Sequence, residues 1–201
     1  MSSRFEVIRV RSIDNDPKHS QLAIADSLNY SQFGFHGLSN RTPFGSADFG
    51  QIAMNELQSL FDAMYRENHQ MWVCLLELHA DQLKIYMEIM NGSIHSLLVQ
   101  MICNENLWVN YLWHDQVEYL RLSEFPTLAK IRHEWDSLEA EMRDYLSILT
   151  VDDLGRVVDT CSLNLPSFTL IEILTQVVNY AASCRTQILA GIHELCDHVM
   201  P

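Results

Sequence analysis

The sequence is poor in the residues that break or staple a chain. Seven glycines and five prolines among 201 residues exclude a collagen-like or low-complexity polypeptide. The five cysteines (Cys74, Cys103, Cys161, Cys184 and Cys196) are odd in number and form no Cys-x-x-Cys pair, so neither a disulfide framework nor a zinc ribbon is expected. Free, buried thiols in a reducing compartment are expected instead, with Cys103 and Cys196 as small core residues. Cations are scarce: 13 Lys and Arg against 26 Asp and Glu give a formal net charge of -13. That balance argues against a phosphate-tracking nucleic-acid binder and reads as a soluble surface. No apolar run reaches the roughly 18 residues that a membrane span needs. The opening Met1 to Glu6 lacks the apolar segment of a secretory signal, so a cytoplasmic protein with no membrane partner is expected. Phosphate-cradling glycine loops, Gly-x-Ser-x-Gly and His-Glu-x-x-His are missing as well.

What is present is apolar and periodic. The chain is 48% hydrophobic, and a compact chain of this length buries roughly 70% of its unfolded surface. Residues 1–50 read as an irregular arm: a short alternating strand over Phe5–Ile13, then loop composition with Gly34, Gly37, Pro43 and Gly45, and an aromatic cluster of Tyr30, Phe33 and Phe35. Residues 51–201 read as one all-α domain. Leu57, Phe61, Met64, Asn68, Met71, Leu75 and Leu78 alternate steps of four and three, as one face of a helix does. After a break at Asn91-Gly92, Ser93 is placed to cap a second helix striped by Ile94, Leu97, Met101, Trp108 and Leu112. The link that follows shows no strand pattern and is expected to be a crossover loop. Pro126 suits the first turn of a third helix, striped by Leu128, Ile131, Trp135, Leu138, Met142, Tyr145 and Leu149. Thr169 and Glu172 are spaced as a capping box for a fourth, with Ile173, Val177, Tyr180, Cys184, Ile188, Gly191 and Leu195. Four such segments predict a four-helix bundle.

The inward faces carry unexpected polarity. Gln100, Asn104 and Trp108 step by four along the second helix with Glu105 beside them; Gln176, Tyr180 and Cys184 do so along the fourth, followed by Arg185 and Gln187. Residues four apart share a face, so these side chains are expected to meet in the core, with Asn68 from the first helix. They close a hydrogen-bond network that fixes helix register, line a small-molecule pocket or hold a metal. The pair Asp152-Asp153 reads as a turn feature, and Glu139 and Glu141 as a solvated helix face.

The segments Ser93–Trp108, Phe125–Leu154 and Leu174–Ile188 together resemble the helix signatures of the DinB/YfiT-like superfamily, over roughly residues 50–198. In that family the last of these reads close to His-x-x-x-His-Arg-Gly-Gln. The resemblance implies a four-helix bundle, often a homodimer, with three core histidines that hold Zn or Ni; members of known activity are thiol-dependent transferases or isomerases. The family's name refers to DNA-damage induction, a stress response at the level of expression and not DNA binding. Here the three ligand positions fall on Gln100, Tyr180 and Cys184, and the glycine has become Thr186. An amide is a weak ligand for these metals, and a phenol must first lose a proton near pH 10. Only Cys184 is a strong candidate. No cofactor is therefore expected, with Zn or Ni the one to look for should the altered site still bind metal.

Of the nine histidines, His95 and His193 fall on other helix faces than the ligand positions, His69 alone could substitute, and the rest, His95 included, fit solvated helix faces and loops. Three functions compete. The first is a non-metal small-molecule-binding or regulatory bundle, its pocket lined by Gln100, Asn104, Glu105, Trp108, Gln176, Tyr180 and Cys184. The second is a transferase or hydrolase in which Cys184 is nucleophile or metal thiolate, with Glu105 or Tyr180 moving protons. The third is a structural or interaction protein whose arm joins two subunits.

Overall fold

The computed structural model describes residues 47–117, 120–163 and 165–199. The strand expected over 5–13 and the rest of the arm before residue 47 lie outside the described residues. The described part falls within one compact unit, Pro43–Pro201, and is mostly helical. Helix α1 is Ala47–Leu75, α2 Ile94–His114, α3 Leu128–Ile148, α4 the single turn Val151–Leu154, and α5 Leu170–Val199. A two-stranded antiparallel pair, β1 (Val157–Val158) with β2 (Phe168–Thr169), closes the connection between α4 and α5.

The predicted stripes are the buried faces. Leu57, Phe61, Met64, Asn68, Met71 and Leu75 are buried on α1, as are Ile131, Trp135, Leu138, Met142 and Tyr145 on α3 and Ile173, Val177, Tyr180, Cys184, Ile188 and Leu195 on α5. The helix starts follow side-chain chemistry. The Ser93 hydroxyl accepts from Ser96 N at 3.1 Å, and the Glu172 carboxylate accepts from Thr169 N at 2.7 Å, each satisfying a donor that the first turn leaves orphaned. Pro126 stands outside α3 and not in its first turn, because Thr127 is the cap and its Oγ1 accepts from Lys130 N. Asp153 likewise accepts from Thr150 N and Oγ1 at the start of α4, the turn role expected for the Asp152-Asp153 pair.

Contacts fix the helix directions. On α1 and α3, Trp72 meets Trp135, His69 meets Glu139 and Asp62 meets Arg143, so the two run antiparallel. At the start of α2 the His95 ring donates to the Phe125 carbonyl just before α3, and at its end the Trp113 ring meets Tyr145 near the end of α3. Helices α2 and α3 are therefore parallel neighbours. The link 115–127 must return along a helix about 31 Å long, and Cys103 Sγ, midway along α2, lies 3.6 Å from the Leu120 carbonyl in that link. It is a crossover, as the sequence suggests. Gly191 near the end of α5 lies against Ile94 at the start of α2, while Tyr111 near the end of α2 donates to the Asp159 carbonyl ahead of α5. These two run antiparallel, which leaves α1 and α5 parallel. Helix α5 packs on both α1 and α2, and α2 packs on α3.

Three placements differ from the sequence reading. His95 is buried and not solvated, because its ring N–H pins the end of the crossover. Cys74, Cys161 and Cys196 are exposed, so buried thiols are confined to Cys184 and, in part, Cys103. Glu139 is mostly covered, since it bridges His69 and Arg143 at the α1–α3 seam.

Candidate functional site

Helix α2 presents three strips. His95, Trp113 and their neighbours turn to α3, and Glu105 points inward, where its carboxylate accepts a hydrogen bond from the Tyr65 hydroxyl of α1. At about 100° per residue, Leu97, Met101, Asn104, Trp108 and Tyr111 form the strip beside Ile94 that turns to α5. On α5, Gln176, Tyr180 and Gly191 form the strip that answers it. Counting from the Ile94–Gly191 contact, Trp108 is 14 residues on and Gln176 is 15 residues back. At about 1.5 Å per residue the two stand at the same height, with Asn104 and Tyr180 roughly one turn away. Asn104, Trp108, Gln176 and Tyr180 are all buried.

Of the seven residues picked out in the sequence, Asn104, Trp108, Gln176 and Tyr180 thus belong to the strips between α2 and α5. Glu105 turns to Tyr65 of α1, Cys184 is buried beside Tyr180 on α5, and Gln100 does not reach the interior. Gln100 is exposed. It shares a nominal spacing of four with Asn104, but it precedes Glu105 by five residues, about 140° around the helix, and this carries it to the solvent side. Arg185 leaves the seam on the other side, where its guanidinium donates to Asn68 Oδ1 at 2.8 Å and pairs with Glu67.

The polar groups are only partly satisfied. Tyr180 hydrogen-bonds the Cys184 thiol one turn on. Among the described residues, four buried side-chain donors have no partner: Asn68 Nδ2, Asn104 Nδ2, Trp108 Nε1 and Gln176 Nε2. Three of these four belong to the α2–α5 seam. Asn68 is different: its Oδ1 is held by Arg185, and it borders a shallow depression at the α1–α3 seam with His69, Arg132, Trp135, Asp136 and Glu139. There the His69 ring donates to Glu139 at 2.8 Å and accepts from Arg132 at 3.1 Å.

Burial sets the protonation states. Desolvation pushes the Glu105 carboxyl from its ordinary 4.5 up to about 7; the Tyr65 hydrogen bond opposes this and the charge of Glu139 adds to it. Tyr65 is raised well above 10 by burial and then by Glu105, so the shared proton stays on the phenol. Cys184, 3% exposed, is pushed up to about 12 by desolvation, with the Tyr180 hydrogen bond opposing. Burial thus favours the thiol over the thiolate, which is the nucleophilic form.

The metal that the resemblance implies does not fit these residues. Gln100 faces solvent while Tyr180 and Cys184 are buried and spend their polarity on each other. Nor do three or more His, Cys, Asp or Glu side chains gather as a metal cluster among the described residues. Sequence reasoning missed Tyr65, the partner of Glu105. The signal was available: Tyr65 follows Phe61 by four, on the edge of the stripe that Met64 also occupies. In a comparison with family models, with curated proteins and with solved structures, the chain matches none.

Proposed function

We propose that the four long helices form a DinB/YfiT-like four-helix bundle that has left metal chemistry behind and binds a small molecule in the α2–α5 seam. The observation that carries this reading is the trio of partnerless donors, Asn104 Nδ2, Trp108 Nε1 and Gln176 Nε2. Each buried donor left unpaired costs about 1–3 kcal/mol. Most buried polar groups in proteins are paired, and departures from local satisfaction concentrate where function requires them. Trp108 supplies a flat apolar wall and the two amides supply orientation, the usual division of labour in a small-molecule site. Residence in the cytoplasm, read from the unpaired cysteines, and pairing with a second copy, which the resemblance implies, belong to the same proposal.

The test is to incubate the purified protein with Zn or Ni, remove the excess, and measure bound metal by elemental analysis beside the small molecules released on denaturation. The reading expects metal far below one per chain, and an organic molecule released from the wild type but not from Gln176→Met. Near-stoichiometric metal that disappears in Cys184→Ser would overturn it and restore a metalloenzyme.

A further inference from the structure

We infer that His69 and Arg132 form a proton-operated clip between α1 and α3. A proton taken up by the His69 ring ejects the Arg132 guanidinium from its two contacts on α1, with His69 and Trp72, and leaves it on α3 with Asp136.

The hydrogen bonds fix the starting state. A carboxylate only accepts and a guanidinium only donates. The His69 ring stands between one of each: Nε2 is 2.8 Å from Glu139 Oε2, and Nδ1 is 3.1 Å from a terminal nitrogen of Arg132. Both bonds form with a single tautomer, the neutral ring with its proton on Nε2. A second proton has to go on Nδ1. There it turns N–H against N–H and brings two cations face to face, so the bond to Arg132 must break. Histidine is the side chain whose ordinary charge change falls between pH 5 and 8.

Arg132 is the partner that leaves. Protonated His69 is held more strongly by Glu139, which is mostly covered and also tied to Arg143 at 2.9 Å. Arg132 has somewhere else to stay: the nitrogen that reaches His69 is also 2.7 Å from Asp136 Oδ1, one turn further along α3. Its remaining hold on α1 is the Trp72 ring, 5.3 Å from the guanidinium carbon. The other charges nearby are engaged elsewhere or unchanged by the step. Arg66 stands three residues back on α1, Arg185 of α5 holds Glu67 and Asn68, and Glu105 of α2 lies within the field of Glu139. Trp72 against Trp135 and Asp62 with Arg143 join α1 and α3 in both states, so the clip loosens one level of the seam and not the bundle. Arg132 and Asn68 border the same depression. Its release therefore takes cover from the Asn68 amide, which is buried and has an Nδ2 without a partner.

The experiment follows the full chain, labelled with carbon-13 and nitrogen-15, by NMR between about pH 8 and pH 5, beside His69→Gln. A glutamine can donate to Glu139 and accept from Arg132 but takes up no proton, and His69 is exposed enough to be replaced. At the alkaline end the His69 ring is expected as the Nε2–H tautomer, with a nuclear Overhauser contact between Arg132 and the Trp72 ring. On acidification that contact is expected to be lost in step with protonation of His69, and to persist throughout in His69→Gln. A contact that survives protonation of His69 would overturn the clip. Loss of the contact over the same pH range in His69→Gln would overturn it too, because another acid would then be the trigger. An Nδ1–H ring at the alkaline end would overturn the starting state on which the clip depends.

Discussion

If the seam is a binding site and not a structural network, filling it with apolar atoms should make the protein more stable. Gln176→Met is the sharpest version. The two side chains have similar length and nearly equal helix propensity, so α5 should not respond to the change. Gln176 is 4% exposed, and its Nε2 lacks a partner. Replacing that amide removes a desolvation cost of about 1–3 kcal/mol and sets an apolar thioether beside Trp108. In a unit of 159 residues (43–201), the midpoint should rise by about 2–4 °C for each kcal/mol gained. Urea and thermal unfolding followed by far-UV circular dichroism would measure it, with Gln100→Met as control; exposed Gln100 should stay within about 0.5 kcal/mol of wild type. A Gln176→Met protein destabilised by about 1 kcal/mol or more would refute the reasoning, because the amide would then be held by a partner that matters to the fold.

The raised carboxyl of Glu105 makes a prediction of opposite sign to the usual acid. The folded state keeps the Glu105 proton after the unfolded chain has released it. Stability should therefore fall as pH rises from 4.5 to about 7 and then level off, by on the order of 3 kcal/mol; urea midpoints across pH 4.5–8 would show whether Glu105→Gln flattens the fall. Two glycines should resist alanine unequally. At Gly191 the added Cβ would press on the flexible ends of Met90 and Met87, whereas at Gly50 it would run into the branched Val151, which is stiff about its first torsion. Gly50→Ala should lose about 1–3 kcal/mol and Gly191→Ala less, and a reversed order in thermal unfolding would contradict the packing. Thiol labelling of the native protein at pH 8, mapped by mass spectrometry, should modify Cys74, Cys161 and Cys196 quickly and leave Cys184 and Cys103 nearly untouched. Fast alkylation of Cys184 would revive it as a nucleophile.

The helix faces were legible because burial imposes a period, and the period survives in the sequence. Nearly every residue of the α1, α3 and α5 stripes is buried where the spacing of three and four places it. The capping signals at Ser93 and Thr169 were legible for a similar reason: the orphaned donors of a first turn are met by residues a fixed distance away. Gln100 failed because a spacing of four drifts by about 40° each time. Three positions in a row, Gln100, Asn104 and Trp108, span about 80°, so one end of the series left the core. His95 and Glu139 failed for another reason. Both are covered by partners far away in the chain, Phe125 for one and His69 for the other, and no pattern along a single helix contains that information.

The same limit explains why polar positions alone could not separate a closed network from a site. Asn104, Glu105, Trp108, Gln176, Tyr180 and Cys184 read alike as inward polar residues. Their partners divide them: Glu105 is answered by Tyr65 from α1, and Cys184 by Tyr180 one turn away on α5. Asn104, Trp108 and Gln176 keep a donor unanswered. The first group is what a register-fixing core requires, and the second is a cost such a core would not carry without return. The second group lies on α2 and α5, and the packing of these two helices holds the three free donors at fixed spacing. An apolar core would give more stability and no such spacing, and it is the spacing that a ligand with several acceptor atoms can use.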